Sequence, residues 1–487
     1  MAPDSQRSDA QDELALSFAP GISMAEENGA LLLATAFGRL QMPPLSAGLR
    51  QVLETLGEGH GATERQLAAI LERAGEEENA ALLFLYLHRF DQQKILARTI
   101  LDDGKPLITS VPASGDYKFA LAPLSPERAY VLSRFAYLHR EEHRLILESP
   151  CSHAKLILHD PRVAAWIGAL AAPRKIDEDL ARAAGLPASA ARNLGRLLIG
   201  GSLLIDDEGE IAEVTDPVVA PWSFHDLLFH ARSRMGRHSQ PIGKTFPFLG
   251  RIAPYPAVKP AVADRPRVSL HRPDLETLIQ EDPAFTQVLE ERRSIREQGE
   301  IPIRVEQLGE LLFRAARVRS RPDASFSPYE ITSRPYPGGG ACYELEIYVT
   351  ANACEGLASG LYLYEPELHE LHRVAARTAE VERLLTDAAV SSGSPPPQVL
   401  ITLAARFQRV SWSYEGIAYS VILKNVGALY QTLYLVATAM GLAPCALGRG
   451  DSDLFARAAG TQYLAESSVG ELMLGTISQS ADLRSAP

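Results

Sequence analysis

The chain has 487 residues, of which 46% are hydrophobic and 22% charged, and its formal net charge is −12. These proportions are typical of globular proteins and exclude a disordered, collagenous or coiled-coil chain. The length predicts about three domains, and the acidic balance argues against nucleic acid as a partner, since binding it requires neutralisation of phosphates.

The four cysteines, Cys151, Cys342, Cys354 and Cys445, lie far apart and form no CxxC pair. This spacing argues against a disulfide framework and against a zinc ribbon, and no metal site is predicted. The first 17 residues are polar and acidic and lack the basic start and apolar run of an export signal. Together these features predict a reducing, cytoplasmic location.

In the first half of the chain, the same order of predicted helices and strands occurs twice. In the first copy, a predicted strand at 29–35 precedes three predicted helices, at 46–56, from Thr63 onward and at 79–90. Thr63 and Gln66 have the spacing of a capping box. Two apolar runs around Asp103-Gly104 predict a hairpin. Helices followed by a hairpin are the elements of a winged helix.

The second copy has a predicted strand at 143–148, helices at 163–170 and 177–185, and a third helix after Pro187. The segment SLLIDDEGEIAEVT, with a turn predicted at 207–209, supplies its wing. The third helix carries only Arg192 and Arg196, whereas a module that reads a DNA groove is normally much more basic. We therefore favour a structural role, or peptide binding by strand addition, over DNA binding.

A segment at 241–273 contains seven prolines and few periodic apolar residues, which predicts a long extended arm. The sequence before it, SFHDLLFHARSRMGRH, is predicted to be a short helix that leads into the arm. Its three histidines do not share a helical face, which argues against a metal site.

The second half alternates helices and strands and predicts an α+β domain whose sheet joins strands distant in sequence. The predicted helices are one capped by Asp282 and ending near Arg293, one at 306–317 and one at 379–389. The predicted strands are one from Cys342, a hairpin around Glu365-Pro366, one at 398–407, one at 443–448 suited to the centre of a sheet, and a closing strand from Leu472.

The apolar segment 418–440 is long enough to span a bilayer. Lys424, Asn425 and Gln431 interrupt it, which favours a helix buried inside a large domain over a membrane span. No membrane partner is predicted.

Two short motifs carry the chemistry. The sequence ERRSIR at 291–296 places guanidinium groups and a hydroxyl close together, which suits a phosphate held by bidentate hydrogen bonds; a solvated basic surface is the alternative. The sequence RPYPGGGA at 334–341 combines rigid prolines with three glycines. Its backbone N–H groups can approach a flat ligand without Cβ interference; a plain turn before a strand is the alternative.

In this order the two motifs resemble the flavin-dependent nitroreductase superfamily. RRSIR, VEQLGELLFRAARV, RPYPGGGACYELEIYV, GLYLYEPELHELHRV and GLAPCALGRGD together resemble the azoline oxidases of the SagB/ThcOx type, over about 274–478. Those enzymes oxidise thiazolines and oxazolines of ribosomally made peptides to thiazoles and oxazoles. The helix before the arm, the arm and the repeated winged helices are similar to the cyanobactin-oxidase branch, whose paired N-terminal winged helices are related to leader-peptide recognition modules.

The resemblance implies a homodimer that holds FMN at its interface. It places Arg292, Ser294 and Arg296 on the flavin phosphate and ring edge, with Arg293 as the alternative register. It places the loop of Pro337, Gly338, Gly339 and Gly340 over the isoalloxazine of the partner subunit.

The same resemblance implies that the turn after Cys445 brings backbone N–H groups near flavin N5. The residues concerned are Ala446, Leu447, Gly448 and Arg449. Because the family usually has two glycines there and this chain has Gly448-Arg449-Gly450, Arg449 is either a phosphate ligand or a surface substitution.

Related oxidases carry a Lys-Tyr pair where this chain has Ser413-Tyr414. A phenol with a pKa of about 10 is a poor base unless a cation or a hydrogen bond lowers that pKa. We expect Tyr414 to take the proton from the azoline ring, helped by Lys424 or by an arginine in the dimer. A packing role for Tyr414 is the alternative.

The resemblance thus implies an FMN-dependent enzyme that dehydrogenates the azolines of a precursor peptide, with hydride transfer to flavin N5 and reoxidation by oxygen. Two alternatives are a catalytically silent scaffold that binds a leader peptide and a generic NAD(P)H-dependent nitro or quinone reductase. The predicted domains are winged helices at 1–120 and 121–222, a helix and arm at 223–273 and the FMN-binding domain at 274–487.

Overall fold

The computed structural model describes residues 14–27, 30–35, 38–59, 61–262, 265–323, 325 and 327–478. Residues 1–13, which are most of the segment predicted to lack an export signal, lie outside these ranges. Gly29, the first residue of a predicted strand, also lies outside them. The chain divides into two compact units, residues 1–240 and 241–487. Each unit has its own sheets and its own buried hydrophobic core.

Residues 1–240 combine short helices with antiparallel sheets. The helices that the structure describes here are Ala47–Gly57, Glu64–Arg73, Ala80–Gln92, Pro161–Ala169, Glu178–Ala183, Ala188–Gly200, Asp207–Thr215 and Phe224–Arg232. The largest sheet has the spatial order Ala62–Thr63, Leu14–Phe18, Leu96–Asp102, Lys105–Pro112, Ala154–Leu158, Arg144–Glu148 and Tyr137–Glu141. Two smaller sheets have the orders Ser23–Glu27, Ala30–Thr35, Gly38–Gln41 and Arg174–Lys175, Ala129–Leu132, Leu204–Asp206.

Local signals placed most of these elements correctly. The Thr63 hydroxyl accepts from the Gln66 N–H at 3.2 Å and the Gln66 side chain accepts from the Thr63 N–H at 2.9 Å, so the predicted capping box is present. Asp103 and Gly104 have φ values of 51° and 74° and join the predicted hairpin.

The predicted second wing is wrong. Only Leu204–Asp206 forms a strand, and Asp207–Thr215 is a helix rather than the second half of a hairpin. The Asp206 carboxylate accepts from the Gly209 N–H at 3.1 Å and caps this helix, and three acidic residues in its first turn favour a helix start. The glycine that suggested a turn therefore lies in the first turn of a helix.

Strands of the two copies belong to one shared sheet, rather than each copy forming a separate sheet of its own. Strand Ala154–Leu158 of the second copy pairs with Lys105–Pro112 of the first copy. The boundary at residue 120 thus stays a prediction from the sequence, because strands from both sides of it pair.

Residues 241–487 form the predicted α+β domain. The described helices are Leu275–Glu281, Phe285–Glu291, Val305–Ala316, Ala379–Ser392, Gln408–Ser411, Ala418–Ala439 and Ser452–Ala459. One antiparallel sheet has the order Arg267–Ser269, Glu370–Ala375, Gly360–Glu365, Leu345–Ala351, Val399–Arg406, Glu466–Thr476 and Leu442–Leu447. Two short pairs, Gly243–Lys244 with Tyr414–Glu415 and Ile303–Arg304 with Cys354–Glu355, lie outside it.

Two expectations for this unit are corrected. The apolar strand Leu442–Leu447 is an edge strand, not a central one; it is nevertheless buried because helix Ala418–Ala439 and the segment around Ile295 cover it. Asp282 does not begin a helix. It ends Leu275–Glu281, while its carboxylate pairs with Arg314, and the next helix begins only at Phe285.

The longest helix, Ala418–Ala439, which we call the long helix, packs against the sheet. Its buried side includes Val421, Asn425, Leu429 and Leu433. Among the described residues, no helix combines the length and the apolar character that crossing a bilayer requires.

The described residues of the arm, 241–262 and 265–273, are largely irregular and belong to the second unit. Its short strands Gly243–Lys244 and Arg267–Ser269 pair with Tyr414–Glu415 and with Glu370–Ala375. The arm is therefore part of the surface that surrounds the candidate site.

Candidate functional site

The arginine segment packs onto the C-terminal end of the long helix through Tyr434. The Ser294 hydroxyl lies 2.8 Å from the Tyr434 hydroxyl, which accepts from the Ala446 N–H at 2.7 Å. The Ile295 N–H donates to the Pro444 carbonyl at 2.9 Å. Two motifs more than a hundred residues apart, at 292–296 and 446–449, thus lie side by side.

The guanidinium groups of this region have no carboxylate partner in the part of the chain that the structure describes. Arg292 is half-buried, with its guanidinium carbon 5.4 Å from the centre of the Tyr434 ring, and Arg293, Arg296 and Arg449 are exposed. Among the described residues, none of these four arginines forms an ion pair. Unpaired guanidinium groups beside a serine hydroxyl form a donor set that fits a phosphate monoester.

The turn after Cys445 runs along the same edge. Ala446 and Leu447 are half-buried, and Gly448 and Arg449 are exposed. A Cβ on Gly450 would lie 2.2 Å from a carboxylate oxygen of the buried Glu471, so a larger residue here would displace that carboxylate. Burial raises the pKa of Glu471.

The glycine loop, residues 337–340, forms a tight turn whose backbone is left-handed at its end. Gly340 has a φ of 60°, and Ala341 and Tyr343 also have positive φ, at 53° and 44°. The Tyr329 hydroxyl donates to the Gly340 carbonyl at 2.7 Å. A Cβ on Gly340 would lie 2.6 Å from the Tyr414 hydroxyl. Its φ strains any side chain and a Cβ would meet the Tyr414 hydroxyl, so this position favours glycine.

A buried polar chain fixes the loop to the long helix. The Gly339 N–H donates to the Asn425 side-chain oxygen at 3.0 Å, and the Asn425 amide donates to both Glu344 carboxylate oxygens, at 2.9 and 3.1 Å. Glu344 is fully buried, and this burial raises the pKa of its carboxyl group. The loop is therefore held in place rather than free to change its shape.

Two buried side chains beside the loop retain unused donors. Arg334 is 2% exposed and Tyr336 is 1% exposed. Within the described part of the chain, Nε and Nη2 of Arg334 and the Tyr336 hydroxyl have no hydrogen-bond partner. Orphaned buried donors are rare in folded proteins and are typical of sites that a ligand or a second chain completes.

Tyr414 lies where the arm meets the loop. It is half-buried, and burial together with the neighbouring Cys342 raises the pKa of its phenol. The Phe246 N–H of the arm donates to the Ser413 carbonyl at 3.1 Å, and the Thr245 hydroxyl donates to the Glu415 carboxylate at 2.8 Å.

Arg409 holds the arm and the glycine loop together. It is 3% exposed and donates to three backbone carbonyls, those of Cys342 (2.7 and 3.0 Å), Tyr255 (2.8 Å) and Glu330 (2.9 Å). These carbonyls belong to the end of the loop, the arm and the segment before the loop. One buried guanidinium group thus positions the surroundings of Tyr414.

The other predicted catalytic residue, Lys424, is exposed on the long helix. No hydrogen bond, ion pair or ring contact joins it to Tyr414 in the described part of the chain. Its proposed assistance to Tyr414 stays a prediction.

The predicted residues form two groups at opposite ends of the long helix. Asn425 anchors the glycine loop and Tyr434 anchors the arginine segment; they are nine positions apart, or about 14 Å along a helix axis. Within one chain the loop and the arginine segment are therefore anchored at separate places along this helix.

Sequence reasoning missed the residues that join the motifs. Asn425 was noted only as an interruption of an apolar segment, and Tyr434, Tyr329 and Arg409 were not singled out. A buried polar residue in an apolar helix was the one available signal, since its amide must find a partner. Nothing in the sequence showed which partner.

Comparison with known proteins follows the same division of the chain. Residues 11–121 match the family described as the ThcOx helix turn helix domain, and residues 130–239 match the cyanobactin oxidase ThcOx. Residues 289–476 match the nitroreductase family. A protein described as a nitroreductase in Methanocaldococcus jannaschii is 31% identical over 181 residues, which are 37% of this chain and 84% of that protein.

The chain belongs to the nitroreductase family. Its N-terminal half adds the two cyanobactin-oxidase modules, so it is a ThcOx/SagB-like member, as the motifs predicted.

Among solved structures, this chain is similar to a chain of the E. coli microcin synthetase McbBCD complex. The two are 20% identical, the match covers 48% of this chain and 91% of that chain, and the TM-score is 0.33. It also extends to a nitroreductase from Exiguobacterium sibiricum in complex with FMN, with 14% identity, 40% and 89% coverage and a TM-score of 0.29. Both scores are low, and the family assignment rests on the sequence matches.

Proposed function

We propose that this nitroreductase-family chain is an FMN-dependent oxidase that converts azoline rings of a precursor peptide to azoles. The observation that carries the proposal is the presence of both cyanobactin-oxidase modules and the nitroreductase domain in one chain. A reductase of small molecules would have no use for the first two modules. The cytoplasmic location predicted from the cysteines is part of this proposal.

The chain offers residues that suit FMN. Arg292, Ser294 and Arg296 would hold its phosphate, since their region has unpaired guanidinium groups and a hydroxyl. The backbone of Gly338–Gly340 would lie against the flat ring because glycine leaves this surface without side chains. When bound, FMN supplies a hydride acceptor at N5.

We also propose a homodimer, as the resemblance to the family implies. The loop and the arginine segment lie at opposite ends of the long helix. A second copy of the chain that brings its own loop to the arginine segment would complete each site, and oxygen would regenerate the oxidised flavin between turnovers.

Tyr414 is the residue we assign to proton removal. Its hydroxyl approaches Gly340 closely, so it faces the backbone proposed to line the ring. The azoline would lose a proton to the phenolate of Tyr414 and a hydride to the flavin, which forms the second double bond of the azole.

Mass spectrometry of an azoline peptide treated with the purified protein tests the proposal. The expected result is loss of two hydrogens per ring, in a protein that shows flavin absorption bands. A protein that binds no flavin would instead support a silent scaffold. Reduction of nitro compounds by NAD(P)H, with no change in the azoline peptide, would support a generic reductase.

Tyr414→Phe tests the assigned role within the same assay. It keeps the ring and removes the hydroxyl, and we expect kcat to fall by about two orders of magnitude with flavin still bound. Tyr463→Phe is the matched control, since Tyr463 is half exposed and lies outside the motifs. Full turnover by Tyr414→Phe would contradict the role of Tyr414.

A further inference from the structure

The arm places a lysine directly opposite Tyr414. In the antiparallel pair between Gly243–Lys244 and Tyr414–Glu415, Lys244 is the register partner of Tyr414 and Gly243 that of Glu415. Directly opposite residues of an antiparallel pair project from the same face, with their Cβ atoms about 5 Å apart. Lys244 and Tyr414 therefore share one face of this two-stranded pair.

The Lys244 ammonium lies among the aromatic rings that surround the glycine loop. Its Nζ is 5.0 Å from the centre of the Tyr329 ring and 5.5 Å from that of Phe246. The Tyr329 hydroxyl binds the Gly340 carbonyl, and the Tyr414 hydroxyl approaches Gly340 from the other strand. The two phenols thus converge on Gly340, and the ammonium lies beside the ring of one of them, Tyr329.

The other ionisable groups described near Tyr414 include one further cation, Arg409, whose guanidinium carbon lies 5.4 Å from the centre of the Tyr329 ring and whose donors are held by backbone carbonyls. Burial raises the pKa of the Cys342 thiol and of the Tyr329 phenol, so both are neutral at pH 7. The Arg409 guanidinium donates to three carbonyls, and the Glu415 carboxylate accepts from Thr245. In the described residues Lys244 forms no ion pair, so its charge is not offset by a carboxylate.

The residue beside Tyr414 in sequence cannot supply this charge. Ser413 is completely buried, and its hydroxyl donates to the Val410 carbonyl at 3.4 Å. Its side chain points into the core, whereas the opposite strand brings a cation to the face of Tyr414.

We propose that Lys244 is a positioning residue whose ammonium stabilises the phenolate of Tyr414 and so prepares it to accept the azoline proton. The inference rests on the proposed function, because it assigns a partner to the residue that removes this proton. It also gives the arm a role, since the arm carries Lys244 from residues outside the nitroreductase match into the candidate site.

The pKa of Tyr414 in the flavin-free protein tests this inference directly. NMR of protein labelled at tyrosine Cζ, with the Tyr414 signal assigned by Tyr414→Phe, would follow its titration. We expect Lys244→Met to raise the pKa of Tyr414 by about one unit and Lys244→Arg, which keeps the charge, to leave it near that of the wild type. Lys118→Met, a change in the other unit, controls for the loss of one positive charge.

Lys424→Met is the competing variant. If it raises the pKa of Tyr414 while Lys244→Met does not, Lys424 is the assisting cation and the inference is overturned. An unchanged titration in both variants overturns it as well.

The pH profile of azoline oxidation gives a second readout. Because the phenolate is the active form, activity rises with pH through the pKa of Tyr414, and a higher pKa moves this rise to higher pH. Lys244→Met should therefore lower kcat about tenfold at neutral pH, with recovery at alkaline pH and little change in KM. A uniform loss at every pH would indicate a purely structural role for Lys244.

The two readouts separate the inference from the proposed function. If the wild type oxidises no azoline, the proposed function fails, yet the titration of Tyr414 still decides whether Lys244 acts on it. If azolines are oxidised and the titration is unchanged, only the role of Lys244 fails.

Discussion

The two ends of the long helix differ in how their polar groups are satisfied. At the end near Tyr434, one half-buried and three exposed arginines form no ion pair with any carboxylate that the structure describes. At the end near Asn425, the loop, the arm and the helix are linked by buried hydrogen bonds that involve Glu344 and Arg409.

The difference indicates that the two ends have different functions. Unpaired surface charge is suited to holding a charged ligand that comes and goes, because its donors stay available. A buried, satisfied network is suited to fixing the position of a reacting group, because moving any member leaves a buried polar group unpaired. We therefore expect substitutions at the Asn425 end to affect stability and turnover, and those at the Tyr434 end to affect ligand affinity.

The largest effect is expected from Arg409→Gln at the Asn425 end. The shorter amide cannot reach all three carbonyls that the guanidinium now satisfies. We expect a loss of about 3 kcal/mol or more in the free energy of unfolding, measured by chemical denaturation. Arg377→Gln, at an exposed arginine paired with Glu382, should change it by less than about 1 kcal/mol. Equal effects of the two changes would remove the distinction between the two ends.

Gly340→Ala should have the next largest effect. It forces a Cβ towards the Tyr414 hydroxyl at a φ of 60°, so we expect a loss of about 2 kcal/mol and at least a tenfold fall in azoline turnover. The control is Gly393→Ala, because Gly393 has a similar φ of 68° and open space around it. That change should cost about 1 kcal/mol and leave turnover intact. A similar fall in turnover for both would show that backbone strain alone, rather than contact with Tyr414, explains the result.

Arg292→Gln and Arg296→Gln test the Tyr434 end. Each should raise the Kd for FMN about tenfold, because each removes a charged hydrogen bond to phosphate, and leave the free energy of unfolding nearly unchanged. Titration of the flavin-free protein with FMN, followed by flavin fluorescence, measures the effect, which should shrink at high salt. Arg383→Gln, at an exposed arginine paired with Asp387, is the control. Unchanged FMN affinity in both variants would argue against phosphate binding here.

Glu344→Gln should have the smallest effect on the free energy of unfolding, and that effect should depend on pH in a defined direction. Burial raises the pKa of Glu344 in the folded protein above its unfolded value, so the folded state binds the proton more tightly. The stabilisation from this group is complete below the unfolded pKa and is lost as pH rises through the folded one. Glu344→Gln can still accept from Asn425, so denaturation across pH should show a flatter profile and a relative gain at neutral pH. A loss of stability at neutral pH relative to the wild type would show instead that the carboxylate is stabilised by its charge.

Much of the secondary structure was predictable because it depends on neighbouring residues. The capping box at Thr63, the left-handed Asp103-Gly104 turn and the hairpin around Glu365-Pro366 each form hydrogen bonds within a few residues. The failures occurred where one local pattern allowed two outcomes. Asp206 to Gly209 suits a hairpin turn or a helix cap, and contacts of Glu213 with Ser133 and Arg134 show that the helix also binds a distant segment.

The sequence by itself determined the fold class, the family and the two motifs, since helical periodicity, strand length and glycine or arginine clusters are written in consecutive residues. Only the tertiary structure decided that Tyr434 joins 292–296 to 446–449, that the loop lies at the other end of the long helix, and that the arm brings Lys244 opposite Tyr414. Those contacts join residues up to 170 positions apart. They depend on how the whole core packs, which no local pattern specifies. The net charge of −12 likewise gave no sign that four arginines with no ion pair among the described residues would lie near one end of one helix.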